Sequence, residues 1–437
     1  MRIKIMRTRI RRFSLGAALI CASFGAASIA QAANSYPVIF VHGFAGFGPT
    51  EMLGYKYWGG LTDLQSQLQA KYTNQIVKTA VVGPFSSNWD RAVELFYQIK
   101  GGCVDYGEMH AQTHGHLRQP EAYYHNGRTC YPGLYPAWDA SHPVHLVSHS
   151  MGGQTSRMLV QLLTGNGAPS DPGLFSYTTG SNWVKSVTTI STPNDGTTLA
   201  YRVTDWVPFV QQLVTGIAGI AGVTGNPATR IYDFKMDQWK IGPQTSSEGF
   251  TNYVNRVMNS PLWSNSQLKD ISTYSLSPAG AMEENHWVKD QPNVYYFSVS
   301  TKSSTTGLIT GWQYPIATAN PLLGILAGPG WMGNFTPDSR PFPYSASNPA
   351  YKQWWASDAV VPTISMKAPT WAMNERGSIY PRQVIIHDIS GGGVPQVGAW
   401  NWKGLMDTWD HMDIIGWTLF WDSVGWYKKH VDQLRSL

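Results

Sequence analysis

Val144-His145-Leu146-Val147-Ser148-His149-Ser150-Met151-Gly152-Gly153 decides how the chain is read. Its first four residues form an apolar run of the kind that makes a buried strand. From Gly152 to Leu163 the apolar residues Met158, Leu159 and Leu162 recur at helical spacing. A serine at the turn between such a strand and such a helix is lifted above the sheet, with the positive end of the helix dipole aimed at it. The turn demands small residues two places before and two places after the serine, because strand and helix touch there. Gly152 meets the second demand, and Ser148 stands where glycine is usual at the first. Further strand runs are Val38-Ile39-Phe40-Val41, Val187-Thr188-Thr189-Ile190, residues 294–299 and residues 383–386, and helices are expected over 63–72 and 414–434. Strand, helix and strand in succession imply a mostly parallel sheet with helices on both faces.

A serine nucleophile needs a base, and the base needs an orienting carboxylate. In the α/β-hydrolase fold these follow the serine in the order acid, then histidine. Ser150, Asp358 and His411 fit that order. Asp358 lies in Ser357-Asp358-Ala359-Val360-Val361-Pro362, and His411 lies in Asp410-His411-Met412-Asp413, where Asp410 or Asp413 could orient the imidazole instead. A tetrahedral intermediate also needs two backbone donors for its oxyanion. Met151 offers one N–H directly after the serine, and Phe44 in Val41-His42-Gly43-Phe44-Ala45-Gly46 offers the other, with Gly43 and Gly46 permitting close approach of a substrate carbonyl. Together these features imply acyl transfer from an ester.

The 437-residue chain opens with six basic residues between Arg2 and Arg12, an apolar run from Phe13 to Cys21, and the small residues Ala30-Gln31-Ala32. This is the pattern of a secretory signal peptide, cleaved near Ala32, which leaves 33–437 as one catalytic domain without a stable membrane anchor. Removing the leader leaves 26 Lys and Arg against 27 Asp and Glu, so the excess of positive charge in the full chain belongs to the leader and does not point to nucleic acid. Cys103 and Cys130 are then the only two thiols, 27 positions apart. Export favours pairing them, in a disulfide contributing about 3 kcal/mol by loop entropy, and two buried free thiols are the alternative. Residues 101–136, dense in His, Tyr, Gly and Pro, read as an inserted loop region that needs a staple other than a core. Within it, His110 and His114 stand four apart, the spacing at which two imidazoles on one helix face chelate zinc. Residues 207–223 are almost wholly apolar.

With these residues in place, the chain resembles the zinc-containing thermoalkalophilic lipases of the bacilli, family I.5, and related bacterial lipases and polyesterases. The likeness runs from Tyr36 to about Trp417 and rests on the blocks His42-Gly43-Phe44-Ala45-Gly46, Gly54-Tyr55-Lys56-Tyr57-Trp58-Gly59-Gly60, Gly83-Pro84-Phe85-Ser86-Ser87-Asn88-Trp89-Asp90-Arg91 and Thr192-Pro193-Asn194-Asp195-Gly196-Thr197-Thr198. The resemblance places the triad on Ser150, Asp358 and His411, and the oxyanion donors on Phe44 and Met151, where the family usually has glutamine at the latter. It moves the zinc ligands to Asp90, His110, His116 and Asp270, a closed set of structural type that would staple the 101–136 insertion. It makes residues of about 201–226 a helical lid over the acyl pocket. For calcium it supplies only half a site: Asp413 is present, and Thr418-Leu419 replaces the family's aspartate-proline pair. The implied substrate is a lipid or other ester met at an interface, with triacylglycerol first and polyesters or short-chain esters next. A zinc-catalysed hydrolase and a non-enzymatic surface-binding protein are the readings from other classes.

Overall fold

The computed structural model describes residues 33–120, 130–165, 171, 174–175, 180–202, 206–265, 267–320, 323, 342, 350–418 and 420–437. The expected leader lies outside them. Seven strands form the central sheet: β1 (Val38–Val41), β2 (Val77–Ala80), β3 (Val144–His149), β4 (Val184–Ile190), β5 (Tyr295–Lys302), β6 (Ile386–Asp388) and β7 (Trp400–Asp407), in the order β6-β7-β5-β4-β3-β1-β2. Every pairing within it is parallel. The strand alternation sorts side chains between two cores. Val38 and Phe40 of β1 enter one, with Val147, Ile190 and Phe297. Ile39 and Val41 enter the other, with Leu146, Val187 and Tyr296.

Helices cover both faces. Against the second core lie α1 (Asn88–Lys100), which Ser87 caps by accepting the Asp90 N–H at 3.2 Å, and α2 (Met151–Thr164), the helix that leaves the serine turn. The first core is covered by α3 (Trp206–Ile220), α4 (Phe250–Met258) and α5 (Ser423–Arg435). This is the α/β-hydrolase fold.

Several elements differ from the sequence expectation. The strand read at 383–386 forms at Ile386–Asp388. The helix read over 414–434 starts only at Ser423, since a short 3-10 turn, Asp413–Ile415, is closed by Gly416 in the left-handed region, φ 91°, and Asp422 caps a new helix through the Gly425 N–H at 2.8 Å. The described residues of the insertion form the helix Glu108–His114 and two short antiparallel strands, Gly102–Cys103 and Cys130–Tyr131, joined by the Cys103–Cys130 disulfide.

Candidate active site

Ser150 occupies φ 55° and ψ −131°, a conformation unfavourable for any residue with a Cβ, at the point where β3 becomes α2. Its N–H is tied to the Ile190 carbonyl at 2.8 Å, so the turn is locked to the neighbouring strand. The packing explains the small residues around it. A Cβ on Gly152 would lie 2.4 Å from the Val41 carbonyl oxygen, and one on Gly43 would lie 2.6 Å from Ser150 Cβ. The loop carrying Phe44 therefore rests directly against the serine. Ser148, in the usual glycine position, is accommodated by a hydroxyl pair with Ser156 of α2 at 2.7 Å.

Asp358 and His411 come together at the C-terminal edge of the same sheet. His411 Nδ1 lies 2.7 Å from Asp358 Oδ2, and the His411 N–H donates to the Asp358 carbonyl at 3.0 Å. The carboxylate is fully buried and takes three more donors: Thr301 Oγ1 at 2.7 Å on Oδ2, and the Val360 and Val361 N–H groups at 3.1 and 2.9 Å on Oδ1. The competing acids face elsewhere. Asp410 accepts from the Met412, Asp413 and Asn320 N–H groups, and Asp413 Oδ2 accepts the Asp410 N–H at 2.8 Å. Burial, then the neighbouring Asp410, push Asp413 up to about 7. Leu419, in the second half of the calcium pattern, lies outside the described residues.

Ser150 and His411 line one apolar cavity together with Phe44, and α3 contributes Phe209, Leu213 and Ile217 to its wall. Along α3, residues 210, 213, 214, 217 and 218 are buried, while Gln212, Thr215 and Gly219 are exposed. The outer side of the helix thus places two uncharged polar side chains, Gln212 and Thr215, beside the exposed Pro208 and Ile220.

Two arrangements around the serine went unread in the sequence. In the first, the Gly43 N–H donates to Tyr57 Oη at 2.9 Å, Tyr57 Oη meets His149 Nδ1 at 2.7 Å, and His149 Nε2 meets the His411 carbonyl at 2.9 Å. One protonation pattern satisfies all three: the tyrosine hydroxyl donates to Nδ1, and Nε2–H donates to the carbonyl. Burial, and next the adjacent His411, hold His149 well below its ordinary pKa, in keeping with that neutral form. The chain links the oxyanion loop, the residue before the serine and the base. In the second arrangement, the buried Arg91 of α1 donates to the carbonyls of His42 and Gly83, at 2.5 and 2.7 Å, and to Thr155 of α2 at 2.8 Å. Tyr57 and Arg91 both sit in the long blocks quoted above, which is the only signal the sequence carried for them.

A second constellation lies apart from this cavity. Asp90, His110, His116 and Asp270 bring one ligand atom each within 4.8 Å of one another. His110 Nε2 is 3.1 Å from Asp90 and 3.3 Å from Asp270, and His116 Nε2 is 3.2 Å from Asp270. His116 Nδ1 faces the Leu117 carbonyl at 2.9 Å, which places its proton there and turns the lone pair of Nε2 inward. Among the described residues neither His116 Nε2 nor Asp270 Oδ2 has a hydrogen-bond partner, although the two buried atoms are 3.2 Å apart. Two carboxylates and two imidazoles facing one another in this way suit a cation. His114 is not among the four, because the helix ends at that residue and Gly115, at φ 77°, turns the chain so that His116 points back into the cluster.

Residues 34–429 match the family described as lipase-like, C-terminal domain. Lipase 2 of Staphylococcus aureus is 33% identical over 399 residues, covering 88% of this chain and 51% of that protein. The chain thus spans about half the length of the curated relatives it matches. Among solved structures, EstA from Clostridium botulinum superposes with a TM-score of 0.76 at 38% identity, covering 93% of this chain and 89% of that one. Lipase 1 from Pelosinus fermentans gives 0.72 at 39% identity, covering 92% and 99%.

Proposed function

The chain belongs to the family of lipase-like C-terminal domains, and from that membership we propose that it is a carboxylic ester hydrolase acting through an acyl-enzyme on Ser150. The observation that carries this reading is the 2.7 Å pairing of His411 with the buried Asp358 in a wall of the same apolar cavity that holds the strained serine. Ser150 Oγ attacks the ester carbonyl carbon as its proton passes to His411 Nε2, while Asp358 accepts from Nδ1–H and so fixes the ring and its charge. The Phe44 and Met151 N–H groups receive the oxyanion. Met151 is suited to this because the first N–H groups of a helix have no acceptor within it. Collapse expels the alcohol, which takes the proton from His411, and a water activated by the same imidazole releases the acid.

The apolar wall supports a hydrocarbon acyl group, hence a triacylglycerol or another lipid ester as substrate, with α3 as a lid that swings to admit it. The alternative of polyester or short-chain ester cleavage uses the same residues with a more open cavity. We read the four-ligand cluster as a structural zinc site of the family I.5 kind, since its two imidazoles and two carboxylates are donors that zinc takes. Bound there, the metal would tie α1, the insertion and the segment at Asp270 together. No member of the cluster lines the serine cavity, which supports a structural and not a catalytic metal. The leader and the disulfide support export.

Labelling with a serine-directed phosphonate, followed by an ester series extending to emulsified triolein and a polyester film, tests the reading. Ser150→Ala is expected to lower turnover by roughly 10⁶-fold without unfolding the chain; undiminished turnover would sink the serine mechanism.

A further inference from the structure

The four-ligand cluster is closed on one side by Tyr106, Gln238 and Trp239. Gln238 Nε2 donates to Asp90 at 2.8 Å, and the Trp239 and Tyr106 rings stand 5.0 and 5.5 Å from His116. On the other side His110 and Asp270 line a cavity of about 470 Å³ that the cluster's inner members, Asp90 and His116, do not reach. Exposed residues, among them Met109, Thr113 and Glu375, also line it, so it opens to solvent. Among the described residues its walls carry Asp270 and Glu375, with Glu283 paired to the one lysine there, Lys269, and Glu284 pushed up to about 7 by burial. Such an acid excess in a concave site draws cations inward. His114 stands in this wall, its ring centroid 4.5 Å from that of His110, and its imidazole makes no hydrogen bond among the described residues.

We infer that this cavity is the route by which a divalent metal reaches the cluster, and that His114 is a transfer ligand that holds the ion with His110 and Asp270 before it passes to Asp90 and His116. The inference rests on the cluster being a metal site. It also accounts for the helical His110/His114 pair, which the resting ligand set leaves unused. A ligand that acts only in passage speeds arrival and departure alike and leaves the equilibrium unchanged.

The test uses the whole protein and zinc alone. Uptake after mixing metal-stripped protein with zinc is followed by tryptophan fluorescence, for which Trp89, stacked on His110 at 4.7 Å, is a built-in reporter. Release is followed by transfer of zinc from the loaded protein to a chromophoric chelator, which needs no stripped protein. His114→Gln is expected to slow uptake and release by a common factor of roughly ten, with one zinc bound at unchanged affinity. Unchanged rates in the variant overturn the transfer role while leaving the metal site intact. Faster release with weaker affinity overturns it by making His114 a resident ligand. Wild-type protein that takes up no zinc overturns both this inference and the metal reading beneath it.

Discussion

At the scale of single residues, the proposed chemistry depends on atoms one step removed from the reacting ones. Tyr57 Oη is both acceptor for the Gly43 N–H and partner of His149 Nδ1. Tyr57→Phe strands two buried polar groups, at a cost of about 1–3 kcal/mol, and loosens the loop that presents Phe44 to the oxyanion. Steady-state kinetics on a short soluble ester are expected to show kcat reduced by roughly one to two orders of magnitude, with KM nearly unchanged. A rise in KM with kcat unchanged instead would mean that the hydroxyl serves only substrate binding. The serine itself was legible because everything its turn requires is local: a strand, two small residues, a helix. Asp358 was legible by chain order and by the family resemblance but not from local chemistry, because three aspartates compete for His411 in sequence and the fold is what shows Asp410 and Asp413 engaged with backbone N–H groups. Helical spacing by itself selects His114; the family resemblance put His116 in the ligand set, and the turn at Gly115 shows physically why His116 and not His114 joins the cluster.

At the scale of elements, α3 and the disulfide-linked insertion are where function can be varied without touching the serine. Leu213 is buried on the cavity side of α3. Leu213→Asn is expected to lower the ratio of kcat/KM for a long-chain ester to that for a butyrate ester by about tenfold, as measured on monodisperse substrates; an unchanged ratio would place the acyl chain elsewhere. For the insertion, chelation is expected to lower the melting temperature by several degrees before it lowers turnover of the protein still folded, because ligand removal acts on the folded state as a whole. Immediate loss of turnover without a thermal shift would favour a catalytic metal. The strands that could be read in advance, β1, β3, β4 and β5, are buried apolar or β-branched runs. Those that could not are β2, Val-Lys-Thr-Ala at the sheet edge, and β7, where lysine and asparagine accompany a register shift between Trp402 and Leu405 around Gly404. Half-exposed and irregular strands lack the periodicity on which such reading depends.

For the whole molecule, buried acids set the response to pH. Burial pushes Glu94 and Glu284 up to about 7, so the folded protein holds their protons more tightly than the unfolded chain does. Their contribution is complete below the ordinary value of 4.5 and fades as pH rises through about 7. Between those limits the double substitution Glu94→Gln and Glu284→Gln is expected to flatten the decline in melting temperature with rising pH, as followed by calorimetry on the metal-loaded protein; a slope identical to that of the unaltered chain would show that neither acid governs it. A different consequence follows from the clasp between the two ends of the sheet-bearing region. The Asn34 N–H donates to the Arg435 carbonyl at 2.8 Å, Asn34 Nδ2 donates to the Leu434 carbonyl at 2.8 Å, and Asn34 Oδ1 meets His145 at the start of β3. The clasp therefore lies at the strand origins, a strand's length from the edge where Ser150, Asp358 and His411 gather. A tether attached beside this clasp, to a bead, a cellulose fibre or a second enzyme, would hold the molecule by its back and present the cavity that Ser150 lines outward, toward a droplet or film too large to diffuse to it.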